Sequence, residues 1–265
     1  MPGTERVLTH RLGRRPVALR WQPVPTQLER ARAAGVTVTV VSRPEFGGSG
    51  LTLAANRAAT SGRRRRDAVA ATMLAALGAG SGPTLVSGYH ADLDRHGHLS
   101  GVDSAPWRVA ATEVDDMLAR LVDGLPPDAA LLVTADHGQL DIPAAHRFDL
   151  DTDPRLRAGV RLVAGEARCA TCTSSRGDRR RAGRLVGGAG CHGAGADPEQ
   201  VVATGWFGPV PEEHLDRIGD VVVTCNDTYA VMASRTERPM ASKLVAYHGS
   251  DTAAELTVPL LVVRG

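Results

Sequence analysis

Two short segments, Asp94-Arg-His-Gly-His98 and Thr134-Ala-Asp-His-Gly138, each set a carboxylate beside an imidazole near a short apolar run. Carboxylate oxygen and imidazole nitrogen are donors that zinc or a similar divalent cation accepts, so the two pairs plus one more His could hold two metals side by side. Asp94 and His98 are four apart, with Gly97 immediately before the His. On a helix that spacing puts both on one face, and in a loop the glycine lets the backbone turn until they converge. The segment is expected in a loop. By itself such a pair also fits a charged surface turn, and Asp136-His137-Gly138 also fits a cap on the following turn. Together, one helical crossover apart, they point to a shared metal site.

The elements that must position these residues alternate in type. Thr26-Gln-Leu-Glu29 is a capping-box pattern, so a helix is predicted over Gln27–Ala34 and closed by Gly35. Val36–Val41 alternates Val and Thr as a strand does, Pro44–Gly50 is a loop, and a helical turn is predicted from Thr52. Asp67–Leu77 carries Val69, Met73 and Leu77 at helical spacing, and Thr84–Ser87 is a short apolar strand. Ser104 and Pro106 start a helix whose apolar stripe is Val109, Val114, Met117, Leu118, Leu121 and Val122, ended by Gly124-Leu-Pro-Pro127. Ala129–Thr134 is a continuous apolar run of the kind buried on both faces of a parallel sheet. Strands are further predicted at Val160–Val163, Asp220–Cys225, Tyr229–Ala233 and Val258–Val263, and a helix near Glu212–Ile218. Such alternation means an α/β fold with a mostly parallel sheet, in which ligands sit at the carboxyl ends of strands, where Asp136 and His137 fall.

A chain of 265 residues suffices for one large domain, here expected to span 1–265 with an embedded cap over 150–215. Hydrophobic residues make up 43% but aromatics only 3%, so the core must be built from Val, Leu and Ala. The net charge of +2 gives no general field for a nucleic acid polymer or a membrane, so an anionic substrate must be held locally. With no long apolar run and no apolar leader among the arginines of the first twenty residues, the chain reads as cytoplasmic.

Other motifs read as structural. Arg63–Arg66 lacks interleaved aromatics and reads as a solvated helix start, Gly47-Gly-Ser-Gly50 lacks the following Lys-Ser or Lys-Thr of a phosphate loop, and His90 and His96 read as solvated loop residues. Cys169-x-x-Cys172 with Cys191-His192 imitates a zinc knuckle. The preferred reading of 169–197 is instead a frameshifted stretch of Gly, Arg, Ala, Ser and Cys, disordered or distorted in the cap, because hydrophobic periodicity stops there abruptly.

Tyr89–Gly101 and Leu131–Pro143 resemble the metal-binding segments of the nucleotide pyrophosphatase/phosphodiesterase branch of the alkaline phosphatase superfamily. That branch carries Asp-x-x-Gly-His, then Thr-Ala-Asp-His-Gly, then a His followed by Gly, which here is Tyr247-His248-Gly249-Ser250. The resemblance covers most of 16–165 and 201–265. It implies a three-layer α/β/α sandwich of alkaline phosphatase type, with Asp94, His98 and His248 on one zinc and Asp136 and His137 on the other. Without the motif order, His248 would read as a loop imidazole bonded to backbone. The implied activity is zinc-dependent hydrolysis of a phosphodiester or nucleotide pyrophosphate, the substrate being a small phosphate ester or nucleotide. One cation would activate a Thr or Ser nucleophile, the pair would stabilise the phosphoryl charge, and water would release the product.

This chemistry also needs an N-terminal strand ending in a metal-binding Asp, followed by the nucleophile at a helix start. None of Glu5, Glu29, Glu45, Asp67 or Asp92 follows an apolar strand in that way. Ser49 and Thr52 stand at a strand-loop-helix junction as substitutes for the nucleophile, and more simply as a turn residue and a helix cap. The sequence therefore predicts a chain that begins after the nucleophile, with impaired hydrolysis. The alternatives are a phosphomonoesterase or phosphomutase of the same superfamily, and a non-catalytic remnant that binds metal.

Overall fold

The computed structural model describes residues 19, 21–63, 68–174, 195–196, 198–235, 237 and 240–265. Along the chain these form α1 (Gln27–Ala33), β1 (Thr37–Ser42), α2 (Gly50–Ala55), β2 (Thr60–Arg63), α3 (Val69–Leu77), β3 (Thr84–Gly88), α4 (Asp92–Ser100), α5 (Ala105–Asp123) and β4 (Ala130–Thr134). There follow β5 (Leu140–Asp141), β6 (Arg147–Asp149), α6 (Pro154–Arg157), β7 (Val160–Glu166), β8 (Cys169–Ser174) and β9 (Gly195–Ala196). The last are α7 (Pro198–Ala203), β10 (Val221–Thr224), β11 (Ala230–Met232), β12 (Ala246–Tyr247), α8 (Ala253–Leu256) and β13 (Leu260–Arg264). The described residues form two compact units, one from within 1–91, 111–132 and 262–265, the other from within 92–110 and 133–261.

In the first unit the capping box is realised. Thr26 Oγ1 accepts the Glu29 amide at 3.1 Å and Glu29 Oε2 accepts the Thr26 amide at 2.8 Å, so each satisfies an N–H that the helix start would leave unpaired. β1 lies between β2 and β3 in a parallel sheet, burying Val38, Val40 and Val41. Gly88 ends β3 against α3, where a Cβ would meet Met73 Sδ at 2.3 Å. Ser49, not Thr52, caps α2: its Oγ accepts the Thr52 amide at 3.2 Å, and Thr52 Oγ1 donates to the Phe46 carbonyl at 2.7 Å.

The second unit is built on an antiparallel sheet in the order β7-β8-β10-β9. β10, all Val but for Thr224, is buried throughout, and its core includes Leu150, Leu156, Ala170, Cys172 and Val231. A smaller core of Ile142, Ala230, Met232 and Tyr247 lies where β12 pairs with β5.

Four further expectations need correction. Asp94–His98 is in helix α4 rather than a loop, and His96 is a half-buried helical residue. β4 alternates exposed and half-buried residues instead of burying both faces, because among the described residues it pairs with β13 alone; Leu132 is 64% exposed. In α5, Leu121 is buried, but Val109 and Val122 stand exposed at the stripe's ends.

The fourth concerns Cys169–Ser174, which is not an irregular stretch. It is a strand with Ala170, Cys172 and Ser174 buried alternately, paired on both edges. Its small and hydroxyl side chains hide a period of two that the tertiary contacts reveal. A strand also turns residues three apart to opposite faces, so Cys169 and Cys172 do not converge as a zinc knuckle requires. Cys191, His192 and the rest of 175–194 lie outside the described residues, as do Glu5, Arg64–Arg66 and Asp67.

Candidate metal centre

Helix α4 supplies the first two donors. Its i, i+4 spacing sets His98 Nε2 3.3 Å from Asp94 Oδ1. The other ring nitrogen of His98 is fixed by the Ala246 carbonyl, 2.7 Å from Nδ1. In the neutral ring Nδ1–H donates there, which leaves the Nε2 lone pair facing Asp94, the usual arrangement of a metal-binding imidazole. The Val245 amide donates to the His98 carbonyl at 2.7 Å, so strand β12 is tied to the end of α4. His248 follows β12 directly and arrives beside His98, with ring centroids 5.2 Å apart.

Asp94, His98 and His248 each offer a ligand atom within 4.8 Å of the others. Donors on one tetrahedral zinc sit about 3.4 Å apart, given bonds of roughly 2.0–2.2 Å, so a modest closure of the three side chains suits the ion. His137 stacks on His248 with centroids 3.5 Å apart and planes at 14°. Asp136 Oδ1 lies 3.7 Å from His137 Nε2, and the carbonyl of Gly138 lies 3.0 Å from His137 Nδ1. All five motif residues thus form one connected group at the ends of α4, β4 and β12. Their oxygen and nitrogen donors suit zinc or a similar cation.

The group's electrostatics are uneven. Burial pushes the Asp94 carboxyl up, but the hydrogen bond and charge of His98, with His248 and His137 behind, hold it below its ordinary value. Burial opposes the charged form of His98, yet Asp94 and the Ala246 carbonyl raise its pKa. His248 is lowered by burial and by the neighbouring His137 and His98. An imidazole held neutral is ready to bind a cation.

Three further residues shape the centre. Gln139 Nε2 donates to Asp94 Oδ1 at 3.3 Å and to the Asp94 carbonyl at 3.4 Å. A Cβ on Gly97 would stand 1.8 Å from Gln139 Oε1, so Gly97 serves this close approach and not a turn. Gln139 stands immediately after Thr134-Ala-Asp-His-Gly138, but nothing in its type announces the role. Arg168 and Glu255 form a fully buried ion pair next to the His248 loop. Thr252-Ala-Ala-Glu255 is a legible capping-box pattern, though its Glu carboxylate is diverted to Arg168, Thr252 Oγ1 and the Ser250 amide.

Of the two hydroxyls offered as nucleophiles, both are engaged within the α2 start. Ser49 Oγ donates to Thr52 Oγ1 at 2.9 Å while accepting the Thr52 amide. Glu29 and Glu45 are paired with Arg57 and Arg43.

The α/β fold is of alkaline phosphatase type. The chain belongs to the type I phosphodiesterase / nucleotide pyrophosphatase family, whose pattern it matches over residues 13–251. Among solved structures it is similar to murine ectonucleotide pyrophosphatase / phosphodiesterase 5, an inactive variant in complex with AMP. That match has 17% identity and a TM-score of 0.65, over 89% of this chain and 62% of the murine one. The human protein of the same name matches at 14% identity and a TM-score of 0.61, over 89% and 62%. Phosphonoacetate hydrolase of Sinorhizobium meliloti, in complex with phosphonoformate, matches at 19% identity and a TM-score of 0.57, over 88% and 66%. The chain thus spans about three fifths of the length of the murine and human proteins. No curated protein matches the sequence.

Proposed function

We propose that Asp94, His98 and His248 hold one zinc ion and Asp136 and His137 a second, in a centre for hydrolysing a phosphodiester or nucleotide pyrophosphate. The convergence of donors from three separated segments carries this reading, since Asp94, His98 and His248 approach within 4.8 Å while His137 stacks on His248. When bound, such cations supply positive charge for a phosphoryl group and lower the pKa of an attacking hydroxyl or water. The protein's own residues prepare the centre. The Ala246 carbonyl sets the His98 tautomer, Gln139 holds Asp94, and His248 is kept neutral by its surroundings. Family membership and the AMP bound by the murine relative support a small nucleotide or phosphate ester as substrate.

The reading extends to weak turnover by this chain. Ser49 and Thr52 are occupied as a helix cap and its partner, their hydroxyls hydrogen-bonded within the α2 start. With zinc added, purified protein is expected to release little or no nitrophenol from a nitrophenyl phosphodiester. Robust release would overturn the impairment, and faster release from the monoester would favour a phosphomonoesterase or phosphomutase. Zinc bound without either activity is the outcome the reading predicts.

A further inference from the structure

Resting on the two-metal reading, we infer that Glu255, clamped by Arg168, is the positioning residue that fixes His137 and His248 against each other. The side chains of the pair are 0% and 1% exposed for Arg168 and Glu255. Their contact is bidentate, Arg168 Nε to Glu255 Oε1 at 3.0 Å and Arg168 Nη2 to Oε2 at 2.7 Å. A buried pair of this kind gains little stability over apolar residues of similar volume, because desolvation offsets the attraction. Its surroundings show a different use.

Glu255 bonds to both loops that carry metal-type histidines. Its backbone carbonyl accepts the amide of Gly138, next to His137, at 2.7 Å. Its Oε1 accepts the amide of Ser250, two residues after His248, at 2.9 Å. The approach on the His137 side is tight enough that a Cβ on Gly138 would meet the Ala254 carbonyl at 2.0 Å. Gly249 links His248 to the Ser250 anchor at φ +121°, and a Cβ there would meet Glu166 Cβ at 2.9 Å. Arg168 is in turn held by backbone, donating through Nη1 to the Tyr229 carbonyl at 2.5 Å and the Asn226 carbonyl at 3.4 Å. The Thr252 hydroxyl donates to Oε2 at 2.5 Å, completing the carboxylate's partners. One residue therefore joins the two ligand loops, its backbone carbonyl holding Gly138 and its carboxylate holding Ser250, with that carboxylate fixed by Arg168 and, through it, by the Asn226 and Tyr229 carbonyls. Residues that orient ligands in this way typically change metal affinity by about 10–100-fold when altered.

The test uses the full chain with Glu255→Gln, the paired apolar replacement R168M/E255L, and Leu150→Ala as a core-destabilised control. Amide exchange at Gly138 and Ser250 and the imidazole resonances of His137 and His248 are recorded without metal, and zinc affinity by chelator competition. The proposal predicts that E255Q and R168M/E255L both speed exchange at the two amides, shift both ring signals and weaken zinc by about 10–100-fold. R168M/E255L should keep its melting temperature near that of the parent, and L150A should melt lower with rings and zinc affinity unchanged. If R168M/E255L does not fold, E255Q against L150A decides by the same signals. Parent-like ring resonances and amide exchange in a folded E255 variant would overturn the proposal. A parent chain that binds no zinc, with ring signals that still move in the variants, would overturn the two-metal reading and leave the positioning role standing.

Discussion

His137 and His248, from distant parts of the chain, stack with ring centroids 3.5 Å apart and planes within 14° of parallel. Two imidazolium rings would repel at that distance, so the contact requires at least one neutral ring. Burial and the neighbouring His137 and His98 hold the His248 pKa below its ordinary value, which favours its neutral ring. The stack thus places a neutral nitrogen donor next to the Asp94–His98 pair.

The pH dependence follows with opposite signs for the two histidines. His98 has a raised folded pKa, so its contribution to stability is fully present below the unfolded value of 6.5 and is lost as pH rises through the folded value. His248 has a lowered folded pKa, so the unfolded chain takes up its proton first and stability falls as pH drops from 6.5 through the folded value. In metal-free protein the C2 proton of His98 should titrate above 6.5 and that of His248 below it. The reverse order in an NMR titration would refute the electrostatic account. Zinc affinity should also climb as pH rises through the His98 transition, because the metal displaces that proton.

Gly97 and Gln139 should behave as one unit. Gly97→Ala forces Gln139 off Asp94, since the new Cβ would lie 1.8 Å from Oε1. Gln139→Ala removes the same contact directly. Each should weaken zinc to a similar degree, and the two effects should not add. In the Gln139→Ala background, Gly97→Ala should stabilise the helix by about 0.5–1 kcal/mol, as alanine does over glycine within a helix. Additive losses across the four proteins would contradict the arrangement.

Ser49 caps α2, its Oγ accepting the Thr52 amide. Ser49→Ala should lower stability by about 1 kcal/mol through the lost bond to the Thr52 amide, and leave any residual ester hydrolysis unchanged. Loss of turnover without loss of stability would reverse the assignment.

The buried thiols of Cys172 and Cys225 should be inert. Burial pushes the thiols of Cys172 and Cys225 up to about 11, which suppresses the reactive thiolate at neutral pH. An aromatic disulfide reagent should modify both slowly until the protein unfolds, and Cys169→Ser should leave zinc content unaltered. Rapid labelling of either thiol, or zinc lost with Cys169, would point back to a cysteine site.

The grouping of these side chains was legible in the sequence. The order of three Asp and His motifs named five residues that the fold gathers, because local spacing in α4 and direction at the end of β4 are set by short segments. The capping box at Thr26 was equally local. What escaped depends on contacts across the chain. Gly97 looked like a turn residue because its reason, the Gln139 side chain, lies far along the sequence. β8 looked irregular because its partners β7 and β10, not its own side chains, make it a strand. Arg168 and Glu255 gave no sign of meeting, since burial of a charge becomes sensible only once both partners are placed.

The most direct test is anomalous scattering at the zinc edge from crystals grown with zinc. The account predicts one peak bounded by Asp94, His98 and His248 and a second beside Asp136 and His137, both lost when His248 and His137 are replaced by alanine. A map with no density among these five side chains, or with zinc only at the cysteines, would contradict it.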